Sequence, residues 1–181
     1  MKNRTCAVFV FDGFADHEVA LTMACLNMES DFTIETFSDR GRPVTSLSGL
    51  RVIPHTSLQQ TEPEYFDLLL LPGGVKWETG DNLEVFPLIS ATIGKKPIAA
   101  ICGATLALGD LGLLNEIPHT SNFPGYISQY CTDYEGTDFY QQEPCVNAGD
   151  IITASGVAIT DLACEILKTF GIFAAVHSFC E

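Results

Sequence analysis

An open α/β fold, with a mostly parallel sheet covered by helices on both faces and a nucleophile elbow at its edge, is the architecture this sequence predicts. Three observations point to it. Short β-rich apolar runs bounded by Gly, Pro and Asp alternate with stretches of helical periodicity, the pattern of strands buried on both faces. One run, Lys96-Pro97-Ile98-Ala99-Ala100-Ile101, breaks at Cys102 and continues into the small residues Gly103-Ala104, as a strand does when it turns sharply into a helix. The 181 residues, 46% of them hydrophobic, suffice for one well-buried domain over residues 1–181.

The elements follow in chain order. Residues 6–11 read as the first strand, stopped by Asp12-Gly13. Residues 16–28 read as a helix with Asp16 as N-cap and acidic groups in its first turn, where the helix dipole favours them. A second strand spans 32–37. The segment 43–54 alternates around Ser48-Gly49 and reads as a small hairpin appended to the sheet. Strands at 67–71 and 97–101 alternate with helices at 81–93 and 103–108. The segment 136–149 resembles the first hairpin, with strands near 139–142 and 144–146. A last core strand at 151–154 precedes a helix over 157–170, whose Ala158, Leu162, Ile166 and Phe170 recur on one face.

Composition excludes several classes of function. Nine basic against twenty-three acidic residues leave a formal charge of -14, which repels nucleic acid phosphates and anionic membrane surfaces. No apolar stretch reaches the ~18 residues of a membrane span. The apolar run behind Met1-Lys2-Asn3-Arg4 is too short for a signal peptide. Seven cysteines without a C-x-x-C, and no zinc-site spacing, read as reduced thiols in a cytoplasmic protein without a metal. No G-x-G-x-x-G follows the first strand, and no cofactor is indicated.

In open α/β sheets ligands gather at the C-terminal strand ends, so the loops after Phe11, Leu71 and Ile101 are expected to face one crevice. At the elbow, the free N–H groups of the new helix lower a thiol pKa and hold an oxyanion, which makes Cys102 a candidate nucleophile. A buried structural cysteine is the alternative. Glu18 is its candidate partner, provided it is protonated and donates to the thiolate, since an ionised carboxylate raises a thiol pKa. Gly73 and Gly74, in Leu71-Pro72-Gly73-Gly74, let the backbone approach closely, and one of their N–H groups completes an oxyanion hole with that of Gly103. His119 is the first histidine after the elbow and the candidate base; His17 is a second candidate, and His55 and His177 look incidental. Trp77 either walls the crevice or covers a sheet end.

Taken in order, Asp12-Gly13-Phe14-Ala15-Asp16-His17-Glu18, Leu71-Pro72-Gly73-Gly74, Ala100-Ile101-Cys102-Gly103-Ala104 and His119-Thr120-Ser121-Asn122 resemble the ThiJ/PfpI superfamily. These are flavodoxin-like relatives of class I glutamine amidotransferases that include intracellular proteases, deglycases or glyoxalases, and redox-responsive chaperones. The resemblance implies a three-layer α/β/α sandwich. It identifies Cys102 with the elbow cysteine, Glu18 with a protonated glutamate, and Gly74 and Gly103 with backbone groups at the oxyanion site. It also implies a homodimer or larger homo-oligomer. Many members carry a histidine about where Asn122 stands here. In an extended segment His119 and Asn122 point apart, so either Asn122 orients the substrate or a bend brings His119 in.

Two functional readings follow. In one, the Cys102 thiolate attacks the carbonyl carbon of a small-molecule or peptide substrate, as a hydrolase or a glyoxalase-like lyase. In the other, Cys102 is an oxidisable sensor in a stress-response binding or chaperone module without turnover.

Overall fold

The computed structural model describes residues 4–29 and 31–172; His177 lies outside them. A seven-stranded sheet has the order β5-β2-β1-β6-β7-β9-β8. Its strands are β1 (Arg4–Phe9), β2 (Phe32–Ser38), β5 (Thr56–Ser57), β6 (Leu68–Leu71), β7 (Ile98–Ile101), β8 (Cys145–Asn147) and β9 (Ile151–Ala154). Every pairing is parallel except β8 with β9. Helices α1 (Asp16–Glu29), α2 (Phe86–Thr92), α3 (Thr105–Asp110), α4 (Tyr126–Tyr130) and α5 (Ile159–Thr169) complete a flavodoxin-like α/β/α arrangement. All four residues of β6 and of β7 are buried. Strands enclosed on both faces read as unbroken apolar runs, which is why these two are so plain in sequence. In α5, Leu162, Ala163, Ile166 and Leu167 form the buried stripe, and the helix packs beside α1.

Differences from the sequence expectations have local causes. The predicted helix over 81–93 is a 3-10 turn, Leu83–Val85, that runs into α2 only from Phe86; Pro87 sits at its start, where a missing N–H costs nothing. The expected strand near 139–142 is instead a 3-10 turn, Gly136–Phe139, followed by one bridge between His119 and Tyr140. The hairpin at 43–54 forms, but as a separate two-stranded sheet of β3 (Val44–Thr45) and β4 (Arg51–Val52). It is tied to the loop after β1 by Gly13 N–H donating to Thr45 O (2.8 Å) and Thr45 N–H donating to Asp12 Oδ1 (2.8 Å). Asp16 accepts from the Ser48 N–H and hydroxyl, so it joins the hairpin to α1. Edge strand β5 and helix α4 have no counterpart in the sequence reading, each being too short to show a period.

Cys6, Cys102, Cys131 and Cys145 are free thiols, whereas Cys164 is disulfide-bonded. The expectation of seven reduced thiols therefore does not hold at Cys164. Among the described residues no helix is long and apolar enough to cross a membrane, and no group of three His, Cys, Asp or Glu side chains is placed to hold a metal.

Candidate active site

The loops after β1, β6 and β7 meet at the C-terminal edge of the sheet. Ala15 N–H donates to Gly73 O (2.9 Å), joining the first to the second. Gly73 N–H donates to Glu18 Oε2 (2.8 Å), bringing in the first turn of α1. Cys102 leaves β7 with φ 59°, a left-handed conformation that non-glycine residues rarely take, and opens a 3-10 turn, Cys102–Ala104, ahead of α3. Such strain concentrates at functional sites. The chain holds it by hydrogen bonds: Thr105 Oγ1 donates to Cys102 O (2.7 Å) and pairs with Ser121 Oγ (2.6 Å), both side chains being buried.

Packing explains the small residues around the sulfur. A Cβ on Gly73 would stand 2.6 Å from Glu18 Oε2 and 2.7 Å from Cys102 Cβ, and a Cβ on Gly156 would stand 3.0 Å from Cys102 Sγ. Gly156, which the sequence reading missed, is thus as much a part of the site as Gly73. Gly74 has φ 147° and a Cβ there would meet Gly13 O at 2.8 Å; the loop therefore requires glycine twice over.

The Glu18 carboxyl and the Cys102 thiol face each other across Gly73 and Gly156, and the carboxyl raises the thiol's proton affinity while the Gly103 N–H lowers it. Asn122 Nδ2 donates to Cys102 Sγ at 3.4 Å, and Gly156 N–H donates to Asn122 Oδ1 at 3.0 Å, which fixes the amide orientation. Behind Asn122 stands Tyr126, a second residue the sequence did not single out. Its hydroxyl interacts with the Asn122 side chain and donates to Glu78 Oε1 (2.7 Å). Trp77 is buried, donates its indole N–H to Pro72 O (2.9 Å) and packs edge-on to Phe11 at 5.6 Å. It buttresses the Gly73-Gly74 loop from beneath.

His119 stands apart from this cluster. It is fully buried, Nδ1 meets Ile117 O at 2.8 Å and Nε2 meets the Tyr134 hydroxyl at 2.6 Å. Thr120 between them is stapled to Thr153 Oγ1 and Glu143 O, so the segment keeps its course; His119 and Asn122 face different neighbours, as extended backbone dictates. His17 is exposed and acts on Glu18 only through its charge. His55 is exposed and bonded to Thr36.

Electrostatically, burial pushes the Glu18 carboxyl above the ordinary carboxylate range, against hydrogen bonds from Cys102 and Gly73 and the charge of His17. Burial also pushes the Cys102 thiol up, to about 11, and the Glu18 charge adds to it; the Asn122 and Gly103 donors oppose. This reverses the lowering expected from the elbow alone. A single turn of N–H groups does not offset desolvation and an adjacent carboxylate. Both groups therefore hold a proton more tightly than they would in water.

The sequence profile of the DJ-1/PfpI family matches residues 4–169. A Bacillus subtilis protein named "Uncharacterized protease YoaZ" is 34% identical over 96% of this chain and 87% of its own length. A second from that organism, "Uncharacterized protease YdeA", is 32% identical over 88% of this chain and 79% of its own. The crystal structure of a DJ-1 superfamily protein from Agrobacterium tumefaciens superposes with a TM-score of 0.88 at 35% identity, over 94% of this chain and 91% of that one. With the elbow, the glycine loop and the buried glutamate in one cluster, and with relatives of this likeness over nearly its whole length, the chain belongs to the DJ-1/PfpI family.

Proposed function

We propose that this protein is a cysteine-dependent enzyme acting at a carbonyl carbon, a thiol hydrolase or lyase, with Cys102 as nucleophile and Glu18 as proton carrier. The observation that supports it most directly is the buried Glu18 carboxyl set against the Cys102 thiol across Gly73 and Gly156, on a strained elbow where Asn122 donates to sulfur. In the reaction the thiol proton passes to Glu18 as sulfur bonds the carbonyl carbon, and the C=O π pair moves onto oxygen. The raised affinity of Glu18 for a proton suits it to this role. The N–H groups of Gly74 and Gly103 receive the oxyanion; the Gly73 N–H is committed to Glu18. With an amide substrate the C–N bond then breaks and Glu18 returns the proton to the leaving nitrogen. Water, deprotonated by Glu18, attacks the thioester and the Cys102 sulfur leaves, regaining its proton. His119 takes no part, both ring nitrogens being bonded elsewhere. Asn122 orients rather than accepts.

The names of the Bacillus subtilis relatives support a hydrolase. The close flanking of Sγ by Gly73 and Gly156 favours a small or slender carbonyl substrate over a bulky one. Turnover of small aldehydes, amides and peptides by Cys102→Ser is expected to fall on the order of 10³-fold or more, with the melting temperature unchanged. Retained turnover in that variant overturns the reading. A second reading, reversible oxidation of Cys102, is favoured by the same donors, since a protonated Glu18 and the Asn122 amide also suit a sulfinate. Intact mass after mild peroxide, compared between wild type and Glu18→Gln, separates the two.

A further inference from the structure

A cavity of about 270 Å³ opens at the C-terminal ends of β1 and β2, walled in part by Phe11. Its lining excludes Cys102, Glu18 and Asn122. Arg40, Arg42 and Lys76 all line it, so a third of the nine basic residues in a chain of net charge -14 converge on one hollow. That is the reverse of what the composition would distribute by chance. Of the three carboxylates beside them, Asp39 is paired with Arg40 (3.2 Å) and Asp12 accepts the Thr45 N–H, leaving Glu84, exposed. Among the described residues neither Arg42 nor Lys76 has an ion-pair partner.

A second, independent feature is Asn82. It lines the same cavity, is 5% exposed, and its Nδ2 donor has no hydrogen-bond partner. A buried donor left unmade is costly, and Asn82 also holds a left-handed backbone, φ 64°. Asp81 N–H donates to Lys76 O (2.9 Å), which closes the loop that carries Lys76 and Asn82. Two cations and an unmet N–H donor, at the strand ends where α/β sheets take ligands, call for an acceptor-rich anion.

We propose that this cavity is a binding site, separate from Cys102, for the phosphate or carboxylate group of a small metabolite, held by Arg42, Lys76 and the Asn82 amide. The site stands whether or not Cys102 performs the chemistry proposed above. The test is calorimetric titration of the full chain, in buffer free of both groups, with inorganic phosphate, glycerol phosphate and succinate. Saturable one-to-one binding of at least one probe is expected; phosphate probes and succinate distinguish the two sources. Arg42→Ala and Lys76→Ala are each expected to weaken it about tenfold, as loss of a charge-assisted contact does. Asn82→Gly, which tolerates the left-handed backbone and so keeps the fold, is expected to weaken it several-fold, and Cys102→Ser to leave it unchanged. No saturable binding of any probe at 10 mM (~10 mM ceiling for a specific small-anion site), binding that survives the Arg42→Ala, Lys76→Ala double variant, or binding lost with Cys102→Ser would overturn the proposal.

Discussion

At the scale of single residues, the pair Glu18 and Cys102 carries a cost. Glu18 is 4% exposed and its carboxyl is held above the ordinary range by burial, so the folded chain keeps its proton to higher pH than the unfolded chain does. The stabilising contribution of that group is therefore complete below the unfolded value of about 4.3 and is lost as pH rises through the folded value. Glu18→Gln removes this dependence while its amide oxygen still accepts the Gly73 N–H. Urea denaturation of both proteins between pH 4 and pH 8 is expected to show the variant gaining on the wild type as pH rises; a gap that stays constant contradicts the assignment. Cys102 and Glu18 were legible as neighbours because each follows a strand end. Gly156 and Tyr126 were not, because nothing in Ser155-Gly156 or Gly125-Tyr126 distinguishes a loop that touches a sulfur from one that does not.

At the scale of elements, the elbow and the segment 119–122 are one mechanical unit. The Thr105 hydroxyl joins Cys102 O to Ser121 Oγ, one residue from the Asn122 amide that donates to sulfur. Thr105→Val keeps the shape but leaves the buried Ser121 hydroxyl unpaired, with an expected loss of about 1–3 kcal/mol in unfolding free energy. Because Asn122 is also held by Gly156, the variant is expected to remain folded, and near-neutral denaturant midpoints would show that the hydroxyl pair contributes little. Here sequence reading succeeded on β6 and β7, where burial on both faces writes continuous Leu and Ile-Ala runs. It failed at 139–142, where a few alternating residues imitate a strand but the chain turns as a 3-10 segment.

For the whole molecule, the charge of -14 sets a field that no local pair cancels. The four ion pairs among the described residues are solvent-exposed or half-exposed, and such pairs are worth little. Self-repulsion is screened as the Debye length shrinks from about 10 Å at 0.1 M salt to about 3 Å at 1 M. The melting temperature is accordingly expected to rise between 0.05 M and 0.5 M sodium chloride. A fall would mean that the cations gathered around Arg42 and Lys76 contribute more than the acidic excess costs.

The alternation of apolar runs and helical periods, and the small residues following Cys102, determined the parallel α/β sheet and placed the thiol on its edge, because burial and turn geometry are written in neighbouring residues. Only the tertiary structure decided what surrounds that thiol. The Glu18 contact spans 84 positions of chain (102 − 18), His119 is turned to Tyr134 while Asn122 faces sulfur, and the thiol is raised rather than lowered. Desolvation depends on everything packed around a group, and no local stretch of sequence contains that sum.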